Sequence, residues 1–177
     1  MKIIILTALI MLLTACASQS ISDYRNNTPQ LNAEKFFNGK LVAHGVVKNR
    51  SGKVIRYFNA DIDASWEGGT GILKEKFLFN DGEIQYRTWH LTPESNENGV
   101  TRFKAQAEDV VGIGAGYSSG NAINLNYVLA VKYNQSVINL RVDDWMWLTD
   151  ANTIINESTL SKFGFKVGSV QLTIRKL

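Results

Sequence analysis

The sequence predicts a single all-β domain, an antiparallel up-and-down barrel of about eight to ten strands. Three observations lead there. From Gly39 onward, stretches of alternating apolar and polar residues are separated by turn signals at roughly hairpin spacing. No stretch longer than a turn or two carries helical periodicity. Glycine is frequent, at 14 residues, and proline scarce, at 2, which suits short turns between uninterrupted strands.

The N-terminal segment is read separately. Lys2 supplies a positive start, residues 3–13 form a short apolar run, and Leu13-Thr14-Ala15-Cys16 places small residues before the only cysteine. This is the pattern of a bacterial lipoprotein signal, too short to remain as a membrane span. Residues 1–15 are expected to be cleaved, with diacylglycerol on the Cys16 thiol and an acyl chain such as palmitate on its new amino group. One chain binds a bilayer marginally, at about 0.8 kcal/mol per buried methylene, so two or three together make a lasting anchor. Ala17 stands where an aspartate would favour inner-membrane retention, so the expected address is the periplasmic face of the outer membrane. Residues 16–38 are expected to carry the lipidated Cys16 and a flexible polar tether, with one helical turn over 33–37. Residues 39–177 are the barrel domain.

Along that domain, strands are expected at 41–48 and 54–66, separated by Asn49-Arg50-Ser51-Gly52, and at 72–79 after a glycine-rich loop. Asn80-Asp81-Gly82 is the strongest hairpin turn. Residues 83–91 follow, then a polar loop over 93–99 and a strand over 101–111. Gly112-Ile113-Gly114-Ala115-Gly116 and Ser118-Ser119-Gly120 read as a bulge or bend where a barrel closes. The run 123–133 alternates most cleanly, with Ile123, Leu125, Tyr127, Leu129, Val131 and Tyr133 on one face. Strands at 138–149, 153–160 and 166–176 complete the set. Eight or more such strands enclose room for one small ligand, a lipocalin-like architecture.

Turn chemistry decides which side chains meet. A two-residue Asp81-Gly82 turn would set Glu75 opposite Thr88. A three-residue Asn80-Asp81-Gly82 loop would set Glu75 opposite Arg87 and Leu73 opposite Trp89, and suits those residue types better. The resulting Glu75–Arg87 pair on an apolar face reads as a structural ion pair or as a polar anchor for a ligand. In Asp143-Asp144-Trp145-Met146-Trp147, adjacent carboxylates point to opposite faces and cannot form an acid–base dyad. One of Asp143 and Asp144 is expected inside. Trp145 and Trp147 would line a cavity, cover the barrel mouth or pack as core aromatics.

Other constellations lose their meaning in context. Gly116-Tyr117-Ser118-Ser119-Gly120 has the spacing of a nucleophile elbow, but no helix follows it and both histidines precede the serine. The glycines from Gly112 to Gly116 lack the helix and βαβ unit of a dinucleotide site. His44 and His90 are far apart and suggest no metal. With Cys16 lipidated, no disulfide can form. After cleavage, 18 basic residues face 16 acidic ones, scattered without a run that would indicate nucleic acid or a polybasic membrane patch. These observations lead to an expectation of no enzyme activity, no cofactor and no metal.

Several ordered segments resemble a family of proteobacterial lipoproteins of unknown function, DUF3833. They include Phe37-Asn38-Gly39, Glu75-Lys76-Phe77, Asp81-Gly82-Glu83, Arg87-Thr88-Trp89, Asp109-Val110-Val111-Gly112, Asp143-Asp144-Trp145-Met146 and Ser161-Lys162-Phe163-Gly164. The resemblance implies an outer-membrane lipoprotein with a lipocalin-like barrel, and encoding near enzymes of membrane fatty acids hints at a lipid ligand. Together the residues suggest a barrel that binds a small lipid-like or amphipathic molecule. Glu75, Arg87 and one of Asp143 or Asp144 would orient its polar end, flanked by Trp89 and Trp145. The competing expectation is a non-enzymatic envelope interaction protein with a solidly packed barrel and an unidentified protein partner.

Overall fold

Period-two alternation becomes an inside and an outside. On β2 (Val54–Glu67), Phe58, Ala60, Ile62 and Ala64 are buried while Asn59, Asp61 and Asp63 are exposed. The structure is a computed structural model describing residues 19–177, so Cys16 and its expected lipidation lie outside the described residues. The other strands are β1 (Gly39–Asn49), β3 (Thr70–Phe79), β4 (Ile84–Glu97), β5 (Val100–Gln106), β6 (Gly114–Ser119), β7 (Ala122–Tyr133), β8 (Ser136–Leu148), β9 (Thr153–Lys162) and β10 (Phe165–Lys176). Each pairs antiparallel with its chain neighbours, and β1 with β10 closes the barrel. All ten strands and the core cluster of the described residues lie within 19–177, so a chain starting at Gln19 keeps every strand and core contact described.

Three boundaries differ from expectation, one of them the strand over 101–111, which stops at Gln106. The polar stretch 93–99 is mostly strand, because β4 runs on to Glu97. The turn falls on Asn98 and Gly99, with φ of 52° and 74°. The glycine-rich segment is not a bulge: Gly114–Ser119 is a regular strand paired on both sides. Gly116 is needed there because a Cβ would collide with the Phe103 ring that fills the barrel interior beneath it.

Residues 19–38 were expected to be a flexible tether, yet the structure shows them as a strap. A 3₁₀ turn (Ile21–Tyr24) sets the Tyr24 ring 5.6 Å from Trp145 on the outer wall. The chain then passes Gly120, where a Cβ would collide with the Tyr24 carbonyl, and Leu31 N–H donates to the Gly120 carbonyl at 2.8 Å. The short helix Ala33–Phe36 is capped by Asn32, whose side chain accepts from Lys35 N–H. Leu31, Phe36 and Phe37 are buried in the core cluster, and Trp66 Nε1–H donates to the Phe37 carbonyl at 2.9 Å. The strap thereby closes the barrel end that holds the β2–β3, β4–β5, β6–β7 and β8–β9 turns. The opposite end carries the other five turns.

Candidate functional site

The site begins with a turn. Phe79 N–H donates to the Glu83 carbonyl and Gly82 N–H to the Phe79 carbonyl, both at 3.0 Å, which makes the three-residue loop. Glu75 accordingly stands opposite Arg87, and Leu73 opposite Trp89. All four face inward and line an internal cavity of about 1020 Å³, among apolar neighbours that include Phe58, Phe77, Leu125 and Val142. That volume is at the upper end of small-molecule sites. The solidly packed barrel is therefore not what the chain forms.

The partner that holds Arg87 comes from outside the expected set. β5 and β6 are short and leave a gap in the wall between β4 and β7, which residues 107–113 cross. Thr88 N–H donates to the Glu108 carboxylate at 3.0 Å, and Ala130 N–H to the Asp109 carbonyl at 2.8 Å. This delivers the Asp109 carboxylate to Arg87. Nε donates to both oxygens at 3.0 Å and Nη2 to Oδ2 at 2.7 Å, a forked, charge-assisted geometry. Glu75 Oε2 lies 3.9 Å from Nη1, beyond hydrogen-bond reach, and is buried with no hydrogen-bond partner.

On β8 the parity question resolves. Asp144 faces the cavity, where Oδ1 accepts from the Asn156 amide and from the Ser158 hydroxyl at 2.8 Å. Asp143 and Trp145 do not belong to the site. Asp143 is on the outer wall and accepts from Asn124 at 2.7 Å. Trp145 stacks on Trp147 at 6.0 Å on the same wall, and its burial comes from the strap. Tyr127 joins the lining from the alternating face of β7, and Asn156 and Ser158 join it unforeseen. For Asn156 and Ser158 the signal was present, since they share parity with Ile154 and Leu160. His44 and His90 are exposed on the outer wall, and His44 bonds Asn59 at 2.7 Å.

Burial sets the electrostatics. It raises Glu75 from 4.5 to about 7, against the opposing pull of Arg87, and it raises Asp144 from 3.8 to about 6, against the bonds from Asn156 and Ser158. Burial opposes the charge on Arg87, but Glu75 and Asp109 outweigh it, so the guanidinium stays ionised. Near neutral pH, the Glu75 carboxyl is thus divided between its protonated and ionised forms.

A stability prediction follows from the raised acid. The folded state binds this proton more tightly than the unfolded chain, so its contribution is complete below about pH 4.5 and is lost as pH rises through about 7. Glu75→Gln removes that loss. The variant should exceed the parent by about 3 kcal/mol at pH 8 and by little at pH 4. Urea unfolding at both pH values checks this, and an equal difference at the two would refute it.

Comparison with known proteins gives three findings. A family model described as a protein of unknown function (DUF3833) matches residues 10–176. No curated protein matches the chain. Among solved structures, the chain is similar to an S-type phycobiliprotein lyase from Guillardia theta, with a TM-score of 0.61 and 12% identity, over 90% of this chain and 99% of that one. The likeness is one of fold, a lipocalin-like barrel. It also corrects the expectation of a non-enzyme, because a barrel of this architecture is found as a lyase. That expectation rested on missing linear motifs, whereas Glu75, Arg87, Asp109 and Asp144 are assembled by tertiary closure from separate strands and a connecting loop.

Proposed function

The chain belongs to the DUF3833 family, a family of unknown function, and on that premise we propose that its barrel holds a small amphipathic molecule. The observation that carries this reading is the cavity of about 1020 Å³ with a polar cluster set in an apolar wall. Apolar walls hold the body of the ligand by the hydrophobic effect, while buried polar groups orient its head. The head is a neutral or positively charged hydrogen-bonding group. Arg87 gives Nε and Nη2 to Asp109 and stands beside the buried Glu75 carboxyl, so its charge is already met within the cluster. The polar side chains that line the cavity around it include Glu75, Asp144 and Tyr127. A free anion would meet carboxylates there.

We also propose an address on the outer membrane. The lone Cys16 after Leu13-Thr14-Ala15 supports lipidation and a periplasmic, outer-membrane location.

The test compares one scaffold with two heads. The methyl ester of a dansyl-labelled undecanoic acid should bind the barrel about tenfold or more tightly than the free acid at pH 8, read by dansyl fluorescence. Filling the cavity with Val142→Phe and Val170→Phe should abolish ester binding while the circular dichroism of the barrel persists. No ester binding, or ester binding indifferent to the filled cavity, would overturn the reading.

A further inference from the structure

At the end away from the strap, three turns lie side by side around the barrel, β7–β8, β9–β10 and β1–β2, because β8, β9, β10, β1 and β2 are consecutive in the sheet. Phe163 is 87% exposed there and Phe165 66%, with Tyr133, Val137, Val54 and Ile55 also exposed. Among the described residues, every exposed large apolar side chain except Leu177 lies at or beside the turns of this end. Interleaved on the arc are Lys132, Lys162, Lys166, Lys48, Arg50 and Lys53. No acidic residue occurs in 132–137, 162–167 or 48–55, and none of the six forms an ion pair among the described residues. The cations are scattered along the chain, so no run announces them, and only barrel closure gathers them.

Phe163 carries a second argument. With Gly164 it forms the tip of the β9–β10 hairpin, in the left-handed region at a φ of 52°. That position favours asparagine or glycine, and the aromatic ring accepts backbone strain there while 87% exposed, with the Lys162 ammonium 5.1 Å from its centre. Aromatic rings beside unpaired lysines, facing outward around an opening, have the chemistry of an interfacial membrane contact. The same end is the mouth of the cavity, since Arg56, Phe79, Ile84 and Lys132 all line it.

We propose that this arc docks on the surface of an anionic phospholipid bilayer, with Phe163 and Phe165 entering the interface and the lysines meeting the headgroups. Docking turns the cavity mouth toward the bilayer, and in that use it rests on the ligand reading above. The chain enters the barrel at the strap-closed end, so an anchor at Cys16 does not account for this face.

The test uses the chain from Gln19, without lipid anchor or ligand, in flotation with phosphatidylcholine vesicles with and without equimolar phosphatidylglycerol. Binding should require phosphatidylglycerol and weaken as salt rises. Lys162→Glu with Lys166→Glu should lower the partition coefficient by about tenfold or more. Phe163→Asn with Phe165→Ser should lower it comparably, while Phe163→Asn alone leaves the melting temperature unchanged or raised, since asparagine suits the left-handed tip. Equal binding to neutral vesicles, or variants that float like the parent, would overturn the proposal. So would light scattering that shows a dimer abolished by Phe163→Asn, which would assign the arc to a second copy of the chain. Because the vesicles carry no ligand, failure of the dansyl ester to bind leaves docking standing, and the reverse also holds.

Discussion

Arg87→Met is expected to destabilise the barrel by about 3 kcal/mol, lowering its melting temperature by roughly 10 °C for a domain of this size. The single cation at the centre of the cavity is surrounded by Glu75, Asp109 and Asp144. Removing it strips three hydrogen bonds from Asp109 and the attraction that opposes the desolvation of Glu75. The loss falls at the low end for broken buried pairs because Asp109 keeps 36% of its side chain accessible. It should grow between pH 5 and pH 8, because without its counterion Glu75 holds its proton to still higher pH while the unfolded chain ionises. Arg87→Met with Asp109→Leu is the control. If the pair is the source of the effect, the double variant costs less than the single one. A single variant as stable as the parent at pH 8, by urea unfolding, would sink the account.

Phe37→Ala is the second large change, with an expected cost of about 3 kcal/mol. The ring is 4% exposed, packs edge-on against Phe36 at 5.1 Å and borders the cavity at its closed end. Its removal opens the new space into an existing cavity, so no separate void is created and the cost stays at the low end for phenylalanine. The strap is then held mainly by Leu31, Phe36 and the Tyr24 contact with Trp145. Limited proteolysis should cut between Gln19 and Asn38 much faster than in the parent. Unchanged protease resistance and unchanged unfolding would show that the strap does not depend on this ring.

Local rules made much of the barrel legible. Asn80-Asp81-Gly82 has the residue order of a three-residue turn, and that order alone set Glu75 against Arg87. Alternation along 123–133 placed Ile123, Leu125 and Tyr127 inside. The same rule stalled on β8, where Val142, Met146 and Leu148 on one face compete with Trp145 and Trp147 on the other. Both faces are apolar because the strap covers the outer one, so parity could not say whether Asp143 or Asp144 points inward. β6 escaped notice because glycine has low strand propensity, and its reason for being there is the Phe103 ring from β5. Alternation alone continues the strand through Asp109, since nothing local reveals that β5 stops at Gln106.

What the sequence by itself determined is the all-β class, the order of the hairpins and the Glu75–Arg87 pairing, all consequences of turn chemistry and a period of two. What only the tertiary structure decided is the strap that seals one end, the Asp109 carboxylate that occupies Arg87, and the gathering of lysines and phenylalanines at the open rim. These depend on which distant segments meet once β1 pairs with β10. Such contacts come from ring closure and side-chain packing over long sequence separations, so no window of neighbouring residues contains them.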